Sequence, residues 1–278
     1  MADRVLVLTA AAGVPDAAWL ARELRGTERR LADTAVEIAF DGALPEGFAV
    51  PECDANVVPV AGRRKRLLVA DMDSTIIGVE CIDELADFAG LKGEVSAITE
   101  AAMRGELDFE AALIARVALL KGLPASVLEE CYAERVRLNP GARTLVRTMA
   151  ASGARTALVS GGFSFFTERV AAEAGFASNQ ANTLEVADGR LTGAVGRPIL
   201  GREAKLAALR RLSAAAGPVS AVAVGDGAND LDMVRAAGLG VAYHAKPTLA
   251  AAADARLEVS DLTAILALQG IPEREWRS

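Results

Sequence analysis

Residues 69–78, VADMDSTIIG, end an apolar run in two aspartates one residue apart. In an extended chain alternate side chains share a face, so Asp71 and Asp73 can point the same way while Met72 points back. Carboxylates that close repel one another unless a cation, a proton or a shared task holds them together. Two further acids, Asp226 and Asp230, stand in GDGANDLDM, and Ser160, Gly161 and Gly162 follow the apolar run TALV. The combined set is rich in oxygen donors and suits a hard divalent ion, with Mg2+ the natural choice. A metal held in this way, with open positions, commonly meets a phosphate. Gly161 and Gly162 let the backbone approach closely, and a helix starting near Phe163 would aim its first amides and the Ser160 hydroxyl at the anion. In isolation a Ser-Gly-Gly triplet is more often a plain strand-to-helix connection, and GDGAND can be a capped turn entering a helix; joined to DMDST in this order they describe a site. The chain has no Walker sequence and no GxGxxG, so nucleotide cradles of those kinds are not expected. A carboxylate can serve as nucleophile: Asp71, last on its strand, would be held for in-line attack and form an aspartyl-phosphate. Asp73 could then protonate the leaving alcohol and later deprotonate the incoming water, a role worth roughly 10²–10⁴ in rate.

These residues need elements that bring them together. From residue 67 onward, apolar strands alternate with Ala- and Leu-rich helices: LLVA, RTALVS at 155–160, AVAVG at 221–225, LGVAY at 239–243 and ARLEV at 255–259. That grammar predicts an α/β fold, a Rossmann-like doubly wound parallel sheet covered on both faces. Ligands of such sheets lie beyond the carboxyl ends of the strands, where DMDST, Ser-Gly-Gly and GDGAND all fall. A helical insertion at about 80–140 separates the first two strands as a cap. NTLEVADGRLTGAV reads as a β-hairpin flap turning at Asp188-Gly189. Residues 1–62 read as a small α+β module, with a strand at 4–10, a helix at 15–25, a strand at 35–40 and a turn-rich remainder, and 63–278 as the main domain. The basic run Arg63, Arg64, Lys65, Arg66 reads as a solvated linker.

Composition removes several function classes. The formal net charge is −7 and the pI about 5.0, which gives no electrostatic footprint for nucleic acid or anionic lipid. No apolar stretch reaches the ~18 residues of a membrane span. Cys53, Cys81 and Cys131 show no paired spacing, and the single histidine, His244, removes zinc-site and Ser-His-Asp chemistry. Residues 4–10 read as a strand rather than a secretory leader. A cytoplasmic protein with a small-molecule substrate is expected, and room is left for a homo-oligomer.

DMDST at 71–75, Ser160, Lys205 and GDGAND at 225–230 resemble the four motifs of the haloacid dehalogenase-like phosphatases, and in particular the branch acting on phosphoserine; the likeness covers about residues 66–268. The resemblance implies that Asp71 is the nucleophile and a metal ligand. Asp73 is by the same likeness the acid/base, ligating metal through its backbone carbonyl, Asp226 a metal ligand, and Asp230 a support for the metal's waters. Lys205 is implied to balance charge on the transferring group. Glu80 in IIGVECIDE is similar to a glutamate that meets the substrate ammonium, and Arg116 in FEAALIARVALL to an arginine that grips its carboxylate. Met103 and Phe109 look like an apolar wall over the substrate, and Gly161 and Asn229 resemble substrate contacts. If Asp108 caps the cap helix, Phe109 and Arg116 share one face, and a planar guanidinium suits a carboxylate. Without the resemblance, Lys205 would be a surface helix residue, Glu80 a solvated helix start, and Met103 and Phe109 ordinary packing. The implied activity is Mg2+-dependent hydrolysis of O-phosphoserine to serine and phosphate, the last step of serine biosynthesis. Transfer to a small alcohol such as homoserine, hydrolysis of another small phosphomonoester, and a silent phosphate- or amino-acid-binding regulator stand as alternatives. The first 62 residues resemble a truncated ACT-type module.

Overall fold

A computed structural model describes residues 2–45, 47–103 and 107–278, the side chains of 100–103 excepted. Strand β1 (Arg4–Thr9) is buried from Val5 onward, so it needs cover on both faces. The chain supplies it with α1 (Ala18–Glu23), β2 (Thr27–Ala32), β3 (Ala35–Phe40) and β4 (Asp54–Pro59), in an antiparallel sheet of order β2-β3-β1-β4. Leu6, Leu8, Val36, Ile38 and Phe40 pack under α1 with Leu20. Val5, Val7, Ala35 and Val58 turn the other way and join the main core. Strands β2 and β4 are not in the sequence reading. TERRLA carries its polar residues on an exposed edge, and DANVVP is half-buried in alternation, so neither shows the continuous apolar run that marks a central strand.

The main sheet begins with β5 (Leu67–Ala70), whose four residues are all buried. The cap follows as α2 (Cys81–Phe88), α3 (Lys92–Met103), α4 (Phe109–Leu119) and α5 (Ser126–Arg135), and the chain returns through α6 (Ala142–Ala151). Strand β6 (Arg155–Phe163) leads into α7 (Ser164–Ala174) and β7 (Ser178–Asn182); the hairpin β8 (Leu184–Ala187) and β9 (Arg190–Val195) and then α8 (Arg202–Leu212) come next. The chain closes with β10 (Ala221–Gly225), α9 (Leu231–Ala236), β11 (Leu239–Tyr243), α10 (Pro247–Ala250), β12 (Ala255–Leu257) and α11 (Ala264–Leu268). The sheet is parallel throughout, in the order β12-β11-β10-β5-β6-β7. The chain runs outward from β5 through β6 and β7, then restarts at β10 on the other side. The switch point therefore lies between β5 and β10, where α/β sheets open a crevice.

Two local readings change. The Ser-Gly-Gly triplet is not a turn: β6 continues through Gly161 and Gly162 to Phe163, and α7 starts at Ser164. The basic run is not a solvated linker at its first residue. Arg63 is half-buried, donating to Glu37 Oε2 at 2.8 Å and to the carbonyls of Leu268 and Ala267 at the end of α11. A basic side chain there meets carbonyls that the helix leaves unpaired. On the same side, Asn56 exchanges hydrogen bonds with Arg256 at 2.9 and 2.8 Å, and the Asp54 carboxylate accepts from the amides of Glu258, Val259 and Ser260. Among the described residues no helix is long and apolar enough to cross a membrane.

Candidate active site

Asp71 follows β5 directly, and its amide donates to the Val224 carbonyl of β10 at 3.0 Å, which places it at the switch point. Its Oδ1 accepts from the Met72 amide at 2.7 Å and faces Lys205 Nζ at 2.7 Å. The same ammonium reaches Asp230 Oδ1 at 2.7 Å. Lys205 is 1% exposed; α8 lays its amphiphilic face on the sheet and the lysine points inward. Burial pulls its pKa down, but Asp71 and Asp230 outweigh that and hold it above the ordinary lysine value. Asp71 is pushed well above the usual carboxylate range by burial and the charge of Asp230, with Lys205 opposing. Carboxylate oxygens of Asp71, Asp226 and Asp230 lie within 4.8 Å of one another. Asp226 follows β10 as Asp71 follows β5, and its pKa is pushed up to about 6 by burial, by Asp230 and by Glu80. Asp230 folds back over the end of β10, accepting from the Gly227 amide at 3.2 Å. A Cβ on Gly225 would stand 2.3 Å from Asp230 Cγ, so this approach requires glycine.

Asp73 faces another way. After it the chain turns sharply, with Ser74 in the left-handed region at φ 53°, a conformation sparsely used by non-glycine residues. Asp73 Oδ1 accepts from the Cys81 amide at 2.9 Å and Oδ2 from Ser160 Oγ at 3.1 Å. Ser160 in turn accepts from the Gly162 amide at 2.8 Å. Burial and the charge of Glu80 push Asp73 up to about 6, against its hydrogen bonds. The carboxylates that gather are thus Asp71, Asp226 and Asp230, while that of Asp73 bridges the second strand end and the start of the cap.

The cap residues come to the same place. Asp108 caps α4 by accepting from the Ala111 amide at 2.8 Å, which sets Phe109 and Arg116 on one side. The Phe109 ring lies against Gly161 and Gly201. Arg116 Nε donates to the Ala112 carbonyl at 3.3 Å; burial lowers its pKa, and Asp83, Glu80 and Asp73 raise it in return. Glu80 Oε1 accepts from Ser74 Oγ at 2.7 Å. Asn229 is half-buried in the turn after β10, with its Oδ1 beside Gly227. The side chain of Met103 lies outside the described residues. Three supporting groups escaped the sequence reading: the Cys81 amide, Asp83, whose buried Oδ1 has no hydrogen-bond partner among the described residues, and Asn182. Asn182 has no local signal, because its partners are 21 and 18 residues away.

A family model described as haloacid dehalogenase-like hydrolase matches residues 68–235. The chain belongs to the haloacid dehalogenase-like hydrolases. Among its relatives is a phosphoserine phosphatase of Streptomyces coelicolor, 50% identical over 254 residues that make up 87% of this chain and 62% of the other. Across several such relatives the chain spans only 53 to 62% of their own length. A probable phosphoserine phosphatase of Vibrio cholerae, solved unliganded, superposes with a TM-score of 0.82 at 33% identity, covering 98% of this chain and 88% of that one. A substrate-bound phosphoserine phosphatase superposes with a TM-score of 0.68 at 40% identity over 73% of this chain and 97% of its own. The oxygen-rich cluster and the buried lysine therefore sit on a hydrolase fold of this family, at the sheet's carboxyl edge.

Proposed function

We propose that the protein is a Mg2+-dependent phosphatase that hydrolyses O-phosphoserine to serine and phosphate through an aspartyl-phosphate on Asp71. The observation that carries this is the buried Lys205 held at 2.7 Å from both Asp71 and Asp230, beside Asp226 and beneath Arg116 and Glu80 of the cap. Asp71 and Asp230 share Lys205 with Asp226 close by, and burial and neighbouring carboxylates raise the pKa values of Asp71 and Asp226. That excess negative charge, presented by oxygen donors, fits a hard divalent cation. Asp71, Asp226, the Asp73 carbonyl and, at one remove, Asp230 would hold it. When bound, the ion supplies charge neutralisation to the phosphoryl oxygens and to Asp71.

The chain's own groups account for the remaining steps. Lys205 and the Met72 amide engage Asp71 Oδ1, which leaves Oδ2 to attack phosphorus as the bond from phosphorus to the serine oxygen breaks. Asp73 gives that oxygen a proton; a pKa near 6 places the group close to working pH. Asp73 then takes a proton from water, whose oxygen attacks phosphorus and frees Asp71 and phosphate. Ser160, held by the Gly162 amide at 2.8 Å and donating to Asp73 at 3.1 Å in the ligand-free site, would turn its hydroxyl to a phosphoryl oxygen when substrate binds. Arg116 takes the substrate carboxylate by a planar pair of donors, Glu80 its ammonium, and Phe109 covers the substrate against water. Asn229 lines the phosphate side.

Residues 63–278 form the catalytic domain in this reading, with the cap at 80–140. Residues 1–62, a four-stranded antiparallel sheet with one helix, serve in this reading as a docked layer of truncated ACT type. The reaction needs a small-molecule substrate and neither nucleic acid nor a membrane, and it suits serine biosynthesis in the cytoplasm. Phosphate release from O-phosphoserine, abolished by EDTA and restored by Mg2+, is the direct test. Asp71→Asn is expected to lower turnover by at least about 10⁴ and to lose an acid-stable, base-labile phosphoprotein seen in the wild type. Full activity in that variant would refute the assignment of the nucleophile.

A further inference from the structure

Asn182 ends β7, is 2% exposed, and has no part in the chemistry above. Its Nδ2 donates to the Gly161 carbonyl at 2.8 Å and to the Leu200 carbonyl at 3.1 Å, and its Oδ1 accepts from the Leu200 amide at 2.6 Å. One side chain therefore ties the end of β6 to the segment that enters α8. These two segments present Gly161 and Gly201 to the cap. A Cβ on Gly161 would stand 3.0 Å from Phe109 Cζ, and one on Gly201 would stand 3.1 Å from Phe109 Cδ1. The ring is thus seated on two bare stretches of backbone whose separation is set by Asn182.

We propose that Asn182 is a positioning residue that builds a two-glycine seat for Phe109 and so fixes how the cap meets the core over the active site. The role over an active site rests on the phosphatase reading; the seat itself does not. Phe109 is 38% exposed, so this backbone is what holds its inner side; a gap of half an ångström to one ångström there already forfeits much of the dispersion contact. A buried amide that satisfies two carbonyls and one amide cannot be replaced by an apolar residue without leaving those groups unpaired, so the two segments separate or twist when it is lost. Nothing local in ANTL marks this role, since Gly161 and Leu200 are 21 and 18 residues away.

Hydrogen exchange in the ligand-free full chain tests the seat without reference to activity. The amides of Ala111 and Ala112, in the first turn of α4, are bonded to Asp108 and report on Phe109 beside them. In Asn182→Ala their exchange is expected to rise about tenfold, a local opening short of unfolding. Gly201→Ala, which keeps Asn182 but fills the seat, should raise it similarly. Unchanged exchange at Ala111 and Ala112 in either folded variant would overturn the proposal. The consequence for catalysis is read by a double-mutant cycle with Phe109→Ala, following KM and kcat separately. If Asn182 acts through the seat, its loss raises KM about tenfold in the wild type and less than about twofold when Phe109 is already gone. Additive effects would mean that Asn182 supports the fold alone and would overturn the proposal. Failure of the wild type to release phosphate from O-phosphoserine would refute the phosphatase reading while leaving the exchange result to decide the seat.

Discussion

Lys205→Met removes the only cation within hydrogen-bond distance of Asp71 and Asp230 among the described residues. Methionine keeps much of the side-chain length, so packing is little disturbed. What changes is that two buried carboxylates lose a partner 2.7 Å from each. Breaking a buried ion pair by deleting one side costs about 3–5 kcal/mol, because the other side keeps its desolvation penalty. Asp71 retains the Met72 amide and Asp230 the Gly227 amide, which places the expected loss near the lower figure, about 3 kcal/mol. The pH dependence carries a sign. Asp71 already titrates above the usual carboxylate range, and without Lys205 it rises further, so the folded variant takes up protons that the unfolded chain has released. Its deficit is therefore largest at neutral pH and shrinks as the carboxylates protonate toward pH 4. Urea unfolding in EDTA, followed by circular dichroism at several pH values, measures both. A deficit under about 1 kcal/mol at pH 7, where a surface pair would fall, or one that grows in acid, would refute the reasoning. In the Mg2+-loaded enzyme the same change should lower turnover by about 10²–10³, as expected for removing a preorganised charge at the transferring group.

Arg116→Ala is expected to cut kcat/KM for O-phosphoserine by ten- to about a hundredfold while changing phosphoethanolamine, which lacks the carboxylate, by less than about threefold; a panel of small phosphomonoesters reads the difference, and equal losses on both would remove the carboxylate clamp. Asp226→Asn tests the charge excess. Asp226 titrates near 6 in the fold against 3.8 as a reference, so the folded wild type binds a proton that the unfolded chain lacks, and it loses stability as pH rises from about 4 through 6. At about 1.36 kcal/mol per unit this is up to about 3 kcal/mol. In EDTA the asparagine variant should therefore gain in melting temperature over the wild type across that interval, and lose the gain when Mg2+ is added; parallel melting curves would reject the idea.

Much of the site was legible because its residues sit at strand ends, and strand ends can be read from apolar runs. LLVA, AVAVG and LGVAY are buried along their whole length, as a sheet covered on both faces requires. The hairpin was readable from Asp188-Gly189, both at positive φ (49° and 72°), and α4 from its Asp108 cap. The elements that went unread were those whose polar residues are consumed by distant partners. TERRLA looks like surface, yet Arg29 pairs with Glu37 of the neighbouring strand. DANVVP opens with Asp54 and Asn56, which look like turn formers and are instead spent on the backbone of 256–260. Arg63 looked solvated for the same reason.

The amino-acid sequence by itself determined which chemistry was available: which carboxylates close a strand, which glycines admit a neighbour, and which helix carries a cap and an arginine, since these depend on residue types and on periods of two and 3.6. Tertiary structure alone decided the charges and the contacts. Lys205 became a buried counter-ion rather than a surface cation, the Asp73 carboxylate turned from the acidic cluster to Ser160, and Asn182 joined two segments 21 and 18 residues away. The physical reason is that burial and pairing are properties of the space around a group, and that space is lined by parts of the chain that local sequence does not bring together.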